Sequence, residues 1–143
     1  MSVQAQFEAL VPIAVALVLS SVIGLDREWR RSAAGIRTHM LVGMGAALVM
    51  VMGRELYGED GSSRLAQNVI TGIGFLGAGV ILRNEHTVHQ LTTAASIWLV
   101  AMIGLAAGAE LYVLAGGTTL MGWFVLTVLR LITKRHTLPA END

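Results

Sequence analysis

The sequence contains no cysteine and only 14% charged residues, with 10 basic side chains set against 10 acidic ones. Without cysteine there is no disulfide framework, no thiolate nucleophile and no cysteine-ligated zinc or iron–sulfur site. The balanced charge removes the basic footprint of a nucleic-acid binder, and no basic–aromatic alternation replaces it, so nucleic acid is not an expected partner. A charged share well below the roughly 25% of soluble domains, beside 54% hydrophobic residues, excludes disorder and argues against a soluble fold. Internal repeats and low-complexity tracts are also missing, since GMGA at 43–46 and GIGF at 72–75 share only Gly-x-Gly.

What the chain does have is apolar blocks separated by short charged stretches. The first lies between Glu8 and Asp26, about 17 residues or some 26 Å of helix, close to a roughly 30 Å hydrocarbon core. Residues 1–8 carry Glu8 but no Lys or Arg, so the block lacks the basic start of a cleaved signal peptide and is expected to be retained. Pro12 falls in its first turn, where it does little harm. The second block runs from Met40 to Gly53 and the third from Leu65 to Leu82. Both are short, and could instead form a re-entrant pair. The fourth spans Leu91 to Ala109 and the fifth Leu111 to Ile132, with the turn at Gly108 and Glu110. The expected fold is an all-α membrane protein with about five transmembrane helices, residues 1–133 forming the membrane domain and 134–143 a short polar tail with no soluble C-terminal domain.

Loop charges orient such a chain. Arg27, Arg30, Arg31, Arg37, Arg83, Arg130, Lys134 and Arg135 fall on one side and only Arg54 and Arg64 on the other, which puts the N-terminus outside and the C-terminus in the cytoplasm.

Several residues could carry chemistry. Gly72, Gly74, Gly77 and Gly79 crowd into one block, where glycines let helices approach closely, so Gly74→Leu should lower abundance. Gly72, Gly74 and Gly77 also match G-x-G-x-x-G, but no strand precedes them and no acidic residue follows at the required distance, so a dinucleotide site is discarded. Asp26, Arg27, Glu28, Arg30, Arg31, Arg37 and His39 crowd into the first cytoplasmic loop. Acids beside hydrocarbon need a partner or an ion, and an i,i+4 pair between Asp26 and Arg30 would supply one. Glu85, His86 and His89 have weak metal-ligand spacing, and solvated surface accounts for them, so neither a metal nor another cofactor is expected. Thr92 and Thr93 open the fourth block, where their hydroxyls can cap the helix or reach a neighbouring one. Glu110 is expected to be exposed in an outer turn.

Three strings together resemble the MgtC/SapB family of bacterial inner-membrane proteins: Gly24-Leu-Asp-Arg-Glu28 with Ala34-Gly-Ile-Arg-Thr-His39, Thr71-Gly-Ile-Gly-Phe-Leu-Gly-Ala-Gly-Val-Ile81, and Leu91-Thr-Thr-Ala-Ala-Ser-Ile-Trp98. The match covers roughly residues 10–130. The family pattern usually has Glu at Asp26, which keeps the charge, and Gly at Gln90, whose replacement removes a flexible joint. Many members carry a soluble C-terminal regulatory domain that this sequence does not show. The resemblance implies an inner-membrane protein linked to growth in low magnesium and, in pathogens, survival inside macrophages; for some members it implies inhibitory binding to the membrane sector of the F-type ATP synthase.

The expected functional cluster is Asp26, Arg27, Glu28, Arg37, Thr38, His39, Asn68, Thr92 and Thr93, facing the cytoplasm. The leading expectation is a non-enzymatic regulator that meets the lipid bilayer, other membrane proteins and, as a homo-oligomer, its own copies. The alternative is a transporter or channel in which Asp26, Glu28, Asn68 and glycine carbonyls line a hydrated path. A membrane enzyme is the weakest reading, for no catalytic grouping has motif spacing.

Overall fold

The computed structural model describes residues 2–83 and 88–129, with only the backbone for 82, 83, 88 and 89. Glu85, His86, Arg130, Lys134 and Arg135 lie outside the described residues, and for Arg83 and His89 no side chain is described. The chain is built from helix α1 (Val3–Trp29), helix α2 (Ile36–Val80), a short antiparallel hairpin of β1 (Leu82–Arg83) and β2 (Val88–His89), helix α3 (Leu91–Gly108) and helix α4 (Tyr112–Phe124). A π-helical turn, Val125–Leu129, extends α4.

Helix α1 starts where the Ser2 hydroxyl accepts a bond from the Ala5 N–H, a standard N-cap. Because the helix begins at Val3, Pro12 is internal to it rather than in its first turn. Its C-terminal end carries Asp26 to Trp29 as helix, so residues expected in a loop are held on a rigid rod.

The second and third expected spans form one helical run, α2, with a break at Gly58, whose φ of 67° and ψ of −163° suit only glycine. The run folds back there, since a Cβ on Gly53 would stand 2.9 Å from the Cα of Ser62. Nine residues of straight helix would separate those positions by about 13 Å. The arms, residues 36–57 and 59–80, are each about 33 Å long at 1.5 Å per residue, so neither is short once its charged flanks are included. Among the described residues, four helices are long and apolar enough to cross a membrane: Val3–Trp29, Ile36–Val80, Leu91–Gly108 and Tyr112–Leu129.

The core is made of small residues: Ala16, Ala47, Ala107 and Ala115 are fully buried around Ile23, Val100 and Ile103. Glycines set the helix spacing. A Cβ on Gly104 would collide with the Gly43 carbonyl oxygen, one on Gly43 with Ser20 Oγ, and one on Gly108 would lie 2.6 Å from the Ala47 oxygen. Such contacts replace the hydrophobic drive that is missing between helices in lipid. The sequence places this role at Gly72, Gly74, Gly77 and Gly79 instead. A Cβ added to Gly72, Gly74 or Gly79 would meet nothing within 4 Å, and one on Gly77 would meet only Ala94, at an ordinary 3.7 Å. Glycine density marks a flexible or small-residue stretch, but which glycine faces a neighbour depends on the register of two helices.

Candidate functional site

The end of α1, the start of α2, the start of α3 and the π-turn after α4 converge on a polar cluster. Asp26 is 5% exposed. Arg30, one turn on, donates Nε to both carboxylate oxygens at 2.8 and 2.7 Å and Nη2 to Oδ1 at 2.6 Å, while Thr127 Oγ1 donates to Oδ1 at 3.1 Å. The ion pair is therefore local, and Thr127 ties it to the π-turn. Charge-assisted bonds of this kind are shorter and stronger than neutral ones.

Arg27 lies on a neighbouring face and is 8% exposed. Its Nη2 donates to Thr93 Oγ1 at 3.0 Å, and that hydroxyl donates onward to Gln90 Oε1 at 2.7 Å. One turn further along α3, Ser96 Oγ stands 2.8 Å from the Thr93 carbonyl oxygen and 3.0 Å from His39 Nε2. His39 is fully buried, and its Nδ1 is 2.8 Å from the Gly35 carbonyl, so Nδ1 carries a proton there. The single proton of the Ser96 hydroxyl then has two alternative acceptors, the Thr93 carbonyl oxygen and Nε2 of the neutral ring. The result is one connected path, Arg27–Thr93–Ser96–His39, joining α1, α3 and α2.

Glu28 does something else. It is exposed, and its Oε2 accepts the backbone N–H of Ile36 at 3.0 Å. Gly35, the N-cap residue of α2, has no side chain for that role, and a Cβ there would collide with the Glu28 carboxylate. Glu28 thus caps the second helix from the first, with its negative charge at the positive end of the dipole. Arg37 and Thr92 are exposed, Thr38 is half-buried, and Asn68 is exposed on the second arm of α2. The structure brings Asp26, Arg27, His39 and Thr93 together, places Glu28 at their edge as a cap, and joins none of Arg37, Thr38, Asn68 and Thr92 to the described hydrogen-bond path.

Sequence reading did not single out Ser96 or Thr127, and it treated Gln90 only as a departure from a pattern. Ser96 stands three residues after Thr93, a helical spacing that could have indicated a shared face. Gln90 has φ 68°, in the left-handed region that favours glycine. The structure thus explains the glycine of the family pattern: the position is a left-handed joint, and glutamine occupies it while its amide oxygen satisfies Thr93. At the opposite end of the bundle Arg54 pairs with the exposed Glu110 at 3.0 Å and reaches the Gly108 carbonyl at 3.3 Å. An exposed pair of this kind is worth little.

Apolar helices that pack through glycine and alanine around a buried ionic and hydroxyl network define an integral membrane protein of the helical-bundle class. The MgtC family pattern matches residues 13–135, and the chain belongs to that family. It is 38% identical over 136 residues to YhiD of Escherichia coli K12, which is named as a candidate magnesium transporter; the match covers 90% of this chain and 63% of that protein. It is 41% identical over 102 residues to MgtC of Salmonella typhimurium LT2, covering 71% of this chain and 44% of that protein. The chain thus spans about half to two thirds of the length of these relatives. No solved structure matches it.

Proposed function

We propose that this chain is a non-enzymatic regulator of the bacterial inner membrane, one that helps the cell adapt to low magnesium and stress by binding other membrane proteins, the F-type ATP synthase among them. The observation that carries this reading is the state of Asp26: both of its oxygens are taken by Arg30 and one also by Thr127. A carboxylate so occupied ties the end of α1 to the π-turn after α4 and is already committed to protein donors rather than to a passing cation. Kinship with MgtC and YhiD supports the link to magnesium. In this reading α2 crosses the membrane twice, giving five crossings with the N-terminus outside and the C-terminus in the cytoplasm. The charge distribution supports that orientation, because Arg27, Arg30, Arg31 and Arg37 sit around the α1–α2 connection whereas Arg54 and Arg64 flank the Gly58 turn.

The test is growth of a deletion strain in limiting magnesium, complemented by wild type or by Arg27→Ala, with insertion checked and ATP and membrane potential recorded. A defect restored only by wild type, together with recovery of a membrane-protein partner in mild detergent, is expected. No defect, or recovery of the protein alone, overturns the reading. The name of YhiD favours a second reading, transport of magnesium; movement of magnesium by the purified protein in liposomes would establish it in place of the first.

A further inference from the structure

The C-terminal turn of α1 is unusual. Ser32 N–H returns to the Arg27 carbonyl at 3.1 Å and Arg31 N–H to the Glu28 carbonyl at 2.9 Å, and this closure holds Arg31 at φ 52°. Glycine is the usual occupant of that left-handed position. The turn directs Arg27, Arg30, Arg31 and Ser32 into one cavity of about 590 Å³, with Gln90 and Thr92 across from them. Among the described residues, two of the three non-glycine residues with positive φ, Arg31 and Gln90, therefore line the same cavity, a clustering expected where backbone strain serves a site. Asp26 neutralises Arg30, and the Glu28 carboxylate is turned away to the Ile36 N–H, so the mouth keeps an excess of positive charge.

A second cavity of about 540 Å³ lies between α3 and α4, lined mainly by Ala95, Leu99, Met121 and Leu126. Thr92, Val125 and Leu126 line both cavities, so the arginine mouth opens directly onto an apolar groove. We infer that the joined cavities bind one anionic phospholipid, its headgroup phosphate against Arg31 and the hydroxyls of Ser32 and Thr92, and one acyl chain along the α3–α4 groove. Guanidinium forks match phosphate oxygens in pairs, and basic pockets between membrane helices suit anionic headgroups. Free phosphate would leave the groove unfilled, and a zwitterionic lipid would bring an ammonium group up to Arg31. This inference holds whether the protein regulates or transports, so the two fail separately.

The test is native mass spectrometry of the full chain, delipidated in mild detergent and offered phosphatidylglycerol, phosphatidylcholine with the same acyl chains, or inorganic phosphate. A one-lipid adduct of the phosphatidylglycerol is expected, held about fivefold more tightly than phosphatidylcholine and not displaced by equimolar phosphate. Arg31→Gly should weaken that adduct about fivefold while keeping or raising the thermal midpoint, because glycine suits φ 52°. Ala95→Trp should fill the groove and weaken retention of both lipids. Equal retention of the two lipids, displacement by phosphate, unchanged binding in either variant, or a lipid-free dimer that Ala95→Trp dissociates would each overturn the inference.

Discussion

Arg27 Nη2 and Thr93 Oγ1 lie 3.0 Å apart although their residues are 66 positions apart in the chain. This bond fastens the end of α1 to the start of α3 at a site shielded from water. Thr93→Val, which keeps shape but removes the acceptor, should lower stability by about 1 to 2 kcal/mol, the upper range for hydrogen bonds between membrane helices. Thr93→Ser should retain most of it. Thermal unfolding in detergent separates the two, and equal midpoints would show that the bond contributes nothing.

Gln90 combines a backbone cost with a side-chain gain. Gln90→Gly removes a left-handed strain of about 1 to 2 kcal/mol but also the oxygen that accepts from Thr93, so its net effect on stability should be small. Gln90→Ala keeps the strain and loses the oxygen, and should be the less stable of the two by about 1 kcal/mol. Comparing their unfolding midpoints checks this; an alanine variant as stable as the glycine variant would deny the strain.

Close packing makes a contrasting pair of glycines. Gly104→Ala pushes a methyl group into the Gly43 carbonyl and should cost about 1 to 3 kcal/mol, with lower abundance in the membrane. Gly74→Ala meets nothing within 4 Å and should be tolerated, and the abundance loss expected from Gly74→Leu on sequence grounds loses its basis in helix packing. Immunoblots of membrane fractions decide between the two positions.

Local relationships were legible in the sequence. Asp26 and Arg30 are one helical turn apart, and their pairing follows once α1 continues past the apolar block. Apolar runs likewise indicate α3 and the start of α4 to within a residue, while the expected end of the fifth block at Ile132 lies outside the described residues. The charged stretch containing Arg54, Glu55, Glu59, Asp60 and Arg64 suggests a loop, yet it is helical on both sides of Gly58, since polarity by itself does not end a helix and several of these residues favour one. The contacts of Arg27 with Thr93 and His39 with Ser96 were not legible, because they depend on which faces of separate helices meet. The same reason hides Gly43 and Gly104 among glycines that are denser elsewhere.

Glu28 tests whether a charged residue near the membrane acts as a ligand or as a cap. In the structure its Oε2 accepts from the Ile36 N–H at the start of α2. Glutamine retains an oxygen able to accept that bond, so Glu28→Gln should keep most of the stability and complement a deletion strain. Glu28→Ala should lose about 1 kcal/mol of helix capping. A residue that bound a cation through its charge would behave differently, for glutamine and alanine would then fail alike in complementation while glutamine kept its thermal midpoint. Measuring growth and unfolding together for both variants therefore distinguishes the roles: function that follows stability identifies the cap, and function lost in the stable glutamine variant identifies a ligand.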